Sequence, residues 1–341
     1  MAENTSESTP DLIDIYGRML SAAESSGQNP DVEIDLSLVK YSGLNSAAEL
    51  ENSIIQELKD VCSKIPGYVE SLGSELSSFE TVPNAVGLGA VAVSIALELI
   101  IAAQDEDWEN KDSTLDMMRR VFAEEKASGV RDSMEEYMKR LRMYFHQPTQ
   151  ALEETERLEK QLSEQLTCLK NSMLHDDQMS SRSLKHWTNG AAFHLQMLIH
   201  AARLKTQSST EHQEELQIHV ASIESVLNLY HFNLEELLKQ YKTYKTSTIS
   251  LGIFYDFDVS RRYCVVKDEE LEREIVRVAF SGIAASISSD DYIDYMFDNW
   301  SKLKELKSYF SDLKENLKDQ IVQEGQFNLQ RVLLALDNQS A

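Results

Sequence analysis

Residues 216–244 read LQIHVASIESVLNLYHFNLEELLKQYKTY. Leu216, Val220, Ile223, Leu227, Tyr230, Leu234, Leu237, Tyr241 and Tyr244 recur in it in alternating steps of four and three. A mean period of about 3.5 residues, held over four heptads, lays one narrow apolar stripe along a helix that winds around a neighbour. The stripe predicts a long helix lying against another helix, and other segments of the same chain offer matching stripes. A coil between two copies is the competing arrangement. The fold expected is all-α: an elongated antiparallel helical bundle with long coiled-coil helices and a small inserted β-hairpin.

Upstream, the helical period repeats. Leu50, Ile54, Leu58, Val61 and Ile65 share a face up to Pro66-Gly67, and Val69, Leu72, Leu76 and Phe79 continue it. Val130, Met134, Tyr137, Leu141 and Tyr144 form a third segment, closed by Pro148, which disfavours helix in the residue before it. Leu162, Leu166, Leu169 and Met173 mark a fourth, and Leu184, Trp187, Ala191, Leu195, Leu198 and Ala202 a fifth. Residues 1–47 are expected to be a flexible N-terminal segment with a short helix lined by Leu12, Ile13, Tyr16, Met19 and Leu20. The bundle proper is expected over 48–336, with 337–341 as a tail.

Downstream of Tyr244 the period changes to two. Ile249, Leu251, Ile253, Tyr255, Phe257 and Val259 alternate strictly, as one face of a strand does. With Asp258-Val259-Ser260-Arg261 as a turn and Tyr263-Cys264-Val265-Val266 as a return strand, a β-hairpin is predicted at about 248–266. Helical spacing then resumes through Leu271, Ile275, Val278, Gly282 and Ala285. A last long helix turns Met296, Trp300, Leu303, Phe310, Leu313 and Leu317 inward, and the apolar run Val332 to Leu336 packs back on the bundle.

The chain has 341 residues with 33 basic and 57 acidic side chains, a formal net charge of −24. Such an excess argues against a nucleic-acid binder, which needs clustered Lys and Arg to neutralise phosphates, and against adhesion to an anionic membrane by charge. With 42% hydrophobic residues the chain can still bury a core. Cys62, Cys168 and Cys264 are too widely spaced to signal a zinc site or a disulfide framework. The acidic N-terminus MAENTSESTPDLIDIYGRML lacks the pattern of a secretory signal. A cytoplasmic location is expected, with non-classical export left open.

The stretch TVPNAVGLGAVAVSIALELIIAAQ, residues 81–104, carries Glu98 as its sole charge. Gly87-x-Gly89-x-x-Ala92 matches a relaxed dinucleotide fingerprint, but no strand signal precedes it and no alternating α/β pattern follows. Residues 83–103 are long enough to cross a bilayer core of about 30 Å. Ala85, Gly89, Ala92 and Ala96 form a small-residue stripe suited to close helix contact. Yet no Lys or Arg lies between Lys64 and Lys111, and Asp105-Glu106-Asp107-Trp108-Glu109 makes an acidic exit, so the flanks lack the anchors of a conventional span. The favoured expectation is a central helix, apolar all round because siblings surround it, with Glu98 emerging at a bundle edge.

Long coiled helices, one sheltered apolar segment and a small β-hairpin make a layout that resembles the ClyA-type α-helical pore-forming toxins. That resemblance implies a latent membrane-active protein which exposes residues 83–104 on activation.

No catalytic motif stands out. The histidines show no HExxH spacing, and no G-x-S-x-G elbow or P-loop occurs. Glu156/Lys160, Glu235/Lys239 and Glu269/Arg273 read as i,i+4 pairs on helix faces. Tyr241, Tyr244, Phe254, Tyr255 and Phe257, with Arg261 and Arg262, concentrate at the coil end and the hairpin, as a capping mini-core or as an exposed recognition patch. The functional expectation is a non-catalytic scaffold or regulator acting through protein–protein contacts or self-association, without cofactor, metal or nucleic acid. A membrane is a partner only after conformational change.

Overall fold

The computed structural model of the chain describes residues 12–42, 46–64, 81–82, 90–91, 94–95, 98, 113–114, 116–122, 128–144, 147–208, 212–280, 287–322 and 327–340. These are predominantly helical. In chain order the elements are α1 (Leu12–Ser25), α2 (Leu36–Ser42), α3 (Ala47–Lys64), β1 (Thr81–Val82), α4 (Met117–Phe122), α5 (Gly129–Met143), α6 (Pro148–His175), α7 (Ser181–Ser208) and α8 (His212–Thr248). There follow β2 (Ile249–Asp256), β3 (Arg261–Asp268), β4 (Arg273–Phe280), α9 (Ser289–Asn299), α10 (Ser301–Glu315), α11 (Leu317–Ile321), β5 (Phe327–Asn328) and α12 (Leu329–Ser340). Among the described residues no helix is long and apolar enough to cross a membrane.

In α8 the residues of the predicted stripe turn inward. Ile223, Leu227, Tyr230, Leu234, Leu237 and Tyr241 are buried and Leu216, Val220 and Tyr244 half-buried, whereas Ile218, Leu229 and Phe232 face out. The chain divides into two compact units. One comprises Met1–Glu33, Asn171–Lys185 and Asn233–Lys307; the other comprises Ile34–Lys170, His186–Phe232 and Ser308–Ala341.

The first unit is built on a sheet in the order β2-β3-β4, antiparallel throughout. Pairing runs from Ile249↔Asp268 to Asp256↔Arg261. The connecting turn is set by Asp256, whose Oδ1 accepts the N–H of Asp258 (3.0 Å) and of Val259 (3.4 Å), a side-chain mimic of a backbone turn. The third strand corrects the sequence expectation. Arg273–Phe280 was predicted helical from Ile275 and Val278, but it pairs with β3 from Arg262↔Phe280 onward. Eight residues are too few for period alone to separate helix from strand, and the β-branched Ile275, Val276 and Val278 pack well on a pleated surface. Glu269/Arg273 is consequently not a helical pair, since the turn between β3 and β4 separates the two.

Helix α1 buries Ile15, Tyr16, Met19, Leu20 and Ala23 and packs on β4 and α9. The predicted last long helix is broken at Trp300 and again at Asn316, giving α9, α10 and α11. At the first break Trp300 is extended and fully buried. The Glu24 carboxylate caps the new helix by accepting the Ser301 N–H (2.9 Å) and hydroxyl (2.7 Å), so an anion sits where the helix dipole favours one. Met296, Trp300, Leu303, Phe310, Leu313 and Leu317 are all buried nonetheless.

In the second unit the enclosed helix is α7. Every residue from 186 to 204 except Leu198 is buried. Its contacts show why. Phe122 of α4 meets His186, Tyr137 of α5 meets Phe193 edge-on, and Tyr230 of α8 meets Trp187. Lys205 bonds Glu156 of α6 at 2.6 Å, so Glu156 is paired across helices. Gly190 lets α5 and α6 come close: a Cβ there would stand 2.7 Å from Val130 Cγ1 and 2.8 Å from Leu166 Cδ2. Helix α12 packs along α3, next to the short pairing of β1 with β5.

Candidate functional site

Of the small-residue stripe, Ala85, Gly89, Ala92 and Ala96 lie outside the described residues. Ala90, Val91, Ser94, Ile95 and Glu98 of the same segment are helical and buried. Glu98 therefore does not emerge at an edge. Its carboxylate accepts the Ser113 hydroxyl at 2.6 Å and the Thr114 N–H at 2.7 Å. One turn earlier, Ser94 Oγ accepts from the Tyr41 phenol at 2.8 Å and lies 3.1 Å from Thr114 Oγ1. The one charge of the apolar stretch is thus held by buried donors, which makes burial tolerable for it.

The aromatic set predicted around the hairpin separates into two groups. Tyr241 is fully buried: its hydroxyl lies 2.7 Å from Ser181 Oγ, and its ring contacts Phe297. Tyr244 is half-buried and stacks with Tyr241 beneath the Lys245 ammonium. These two form the capping mini-core. The distal half of β2 and its turn are open instead. Ile253 is 55% exposed, Phe254 49%, Tyr255 41%, Phe257 83% and Val259 54%. Tyr255 and Phe257 meet edge-on, and the Arg277 guanidinium lies over Phe254. Arg261 and Arg262 are exposed across the ladder, opposite Asp256 and Tyr255. Gly252, where an added Cβ would meet nothing within 4 Å, leaves the strand open beside these exposed side chains.

The structure also assembles polar clusters inside each unit that no local pattern announced. In the first, Lys245 in the last turn of α8 is fully buried. It bonds Asp268 at 2.6 Å and also Glu270. Glu270 in turn accepts the Ser181 N–H at 2.7 Å and hydroxyl at 2.6 Å, capping α7. Burial pushes the Glu270 carboxyl up, but the bonds from Lys245 and Ser181 outweigh it and hold its pKa below the usual value. Burial raises Tyr244 to about 12, with Glu270 and Asp268 adding to the rise. Every charge here has a partner, which suits a structural clamp joining a helix end, a helix start and a sheet corner.

In the second unit α7 is buried yet carries His186, Thr188, Asn189, His194, Gln196, His200 and Arg203. His194 Nδ1 lies 2.8 Å from the Tyr230 hydroxyl and Nε2 lies 3.2 Å from Glu159. Each ring nitrogen of His194 thus faces one hydrogen-bonding side chain, Tyr230 on one side and Glu159 on the other. Burial raises the Tyr230 pKa, so the phenol stays protonated and is a poor nucleophile. The relay ties α6, α7 and α8 together. On the opposite face, Asn189 Oδ1 accepts the Asp35 N–H at 2.7 Å, and Arg120 pairs with Asp35 at 2.8 Å. Among the described residues, neither amide atom of the buried Gln196 meets a hydrogen-bond partner, nor does His200 Nδ1. Among the described residues no group of three or more His, Cys, Asp or Glu is placed to hold a metal ion.

Comparison with protein-family models, with curated proteins and with solved structures gives no significant match for this chain.

Proposed function

We propose that the protein is a non-catalytic helical scaffold or regulator that acts through protein–protein contacts made at the open end of its sheet. The observation that carries this reading is the exposure of Ile253, Phe254, Tyr255, Phe257 and Val259 on one hairpin. Aromatic anchors of this kind dominate interface energetics when a partner covers them. Helices α1 and α9, which pack on β4 and β2, support the sheet. The free Cys168 and Cys264 suit the reducing cytoplasm.

The competing reading, a pore-forming-like protein that exposes residues 83–104, receives less support. It requires Ala90, Val91, Ser94, Ile95 and Glu98 to leave the interior, and Glu98 to give up the donors on Ser113 and Thr114.

A photo-crosslinking residue at position 257, with one at the exposed Leu334 as control, tests the proposal in cell extract. Discrete protein adducts from position 257 alone are expected. Equal labelling from both positions, or labelling of lipid with leakage of liposomes, overturns the reading.

A further inference from the structure

The two edges of the sheet are treated differently. On β4 the outward carbonyl of Ala279 accepts from Arg18 of α1, which packs along that strand. On β2 the N–H of Leu251 is likewise taken, by Ser289 Oγ at the start of α9 (3.1 Å). Among the described residues the cover stops beyond Leu251. In an antiparallel ladder N–H and C=O point alternately toward and away from the neighbouring strand. Since Leu251 points away from β3, so do Ile253 and Tyr255, and nothing among the described residues pairs with their backbone groups. This open edge carries no Lys, Pro or bulge over Gly252–Tyr255, the devices that blunt an exposed strand.

Resting on the contact surface proposed above, we infer that the occupant of this edge is a second copy of the chain, added strand to strand as antiparallel β2 against β2. The register follows from where the edge is free. A two-fold axis at Phe254 sets Ile253 of each copy opposite Tyr255 of the other, so all four outward-facing residues exchange backbone bonds and the two Phe254 side chains meet as a close, non-hydrogen-bonded pair. An axis at Ile253 would need the Leu251 N–H that Ser289 already holds, and an axis at Tyr255 would pair Ile253 with Phe257 in the turn. The Phe254 axis alone uses what is open and stops where α9 begins. It also brings Arg261 and Arg262 at the hairpin tip of each copy toward the beginning of β2 in the other, where α9 opens with Asp290 and Asp291. That local complementarity acts against the repulsion of two chains each carrying −24.

Sedimentation equilibrium of the full chain over a wide concentration range tests this. A reversible monomer–dimer equilibrium is expected. Tyr255→Pro removes an outward donor and leaves the β2–β3 ladder intact, and should weaken dimerisation about tenfold or more with unchanged circular dichroism. Ile253→Pro is the independent second variant. Reversing Arg261 and Arg262 to Asp should weaken the dimer, and reversing Asp290 and Asp291 to Arg in the same chain should restore it. A monomer at every concentration overturns the inference, as does a dimer indifferent to both proline variants. Neither outcome touches the wider proposal, which stands or falls on the crosslinking pattern from positions 257 and 334.

Discussion

The Lys245 ammonium lies 2.6 Å from the Asp268 carboxylate, and neither side chain has any exposure. Removing one member of a buried ion pair leaves the other charged and unsolvated. Lys245→Met should therefore cost about 3–5 kcal/mol, read as a fall in the urea midpoint with unchanged slope. Adding Asp268→Leu and Glu270→Gln to it should recover much of that loss. An unaltered midpoint in the single variant would mean that water reaches the cluster.

His200 gives the chain a sensitivity to acid. Burial, reinforced by the Arg203 charge, lowers its pKa to about 3, below the value of about 6.5 in an unfolded chain. The unfolded state takes up the proton first, so stability present above about pH 6.5 is lost as the pH falls. Between pH 6.5 and 4 this amounts to about 3 kcal/mol. His200→Leu should flatten that part of the stability–pH curve. Glu270 acts in the same direction at lower pH, since its folded pKa is depressed and its contribution disappears only as the pH falls below the ordinary carboxylate range.

Gly190 tests the helix packing. In an open helix Gly→Ala gains about 1 kcal/mol. Here the new methyl would approach Val130 and Leu166 within 2.8 Å, and overpacking of that kind costs about 1–3 kcal/mol. Gly190→Ala should lower the thermal midpoint. A rise would show that α5 and α6 can move aside.

The sheet offers a paired contrast. Ile253→Asp, at a residue 55% exposed, should change stability by no more than about 0.5 kcal/mol. Val266→Asp, at a fully buried residue in the middle strand, should unfold the sheet and its covering helices. Tryptophan fluorescence of the buried Trp300 and far-ultraviolet circular dichroism would separate the two.

The heptad residues of α8 and the alternation of β2 were legible because each is a local period fixed by backbone geometry. Strand β4 was not, because REIVRVAF fits either period and only its pairing with β3 decides. Glu98 looked like an edge residue, since helical angle says nothing of the donors that Ser113 and Thr114 bring to it. The hairpin aromatics were legible as a cluster, but not their division into an enclosed Tyr241 and an exposed Phe257.

Periodicity, composition and turn chemistry determined where most helices run, where the two hairpin strands β2 and β3 begin and that an acidic chain could still form a core. Enclosure was decided by tertiary structure alone. Helix α7, with three histidines, a glutamine and an arginine among its buried side chains, reads as an ordinary amphipathic helix until α4, α5, α6 and α8 surround it. Burial depends on how many neighbours an element acquires, and hydrogen bonds from those neighbours offset the cost of taking polar groups out of water. The open edge of β2 arises from the same cause: the start of α9 covers Leu251, and among the described residues nothing covers the strand beyond it.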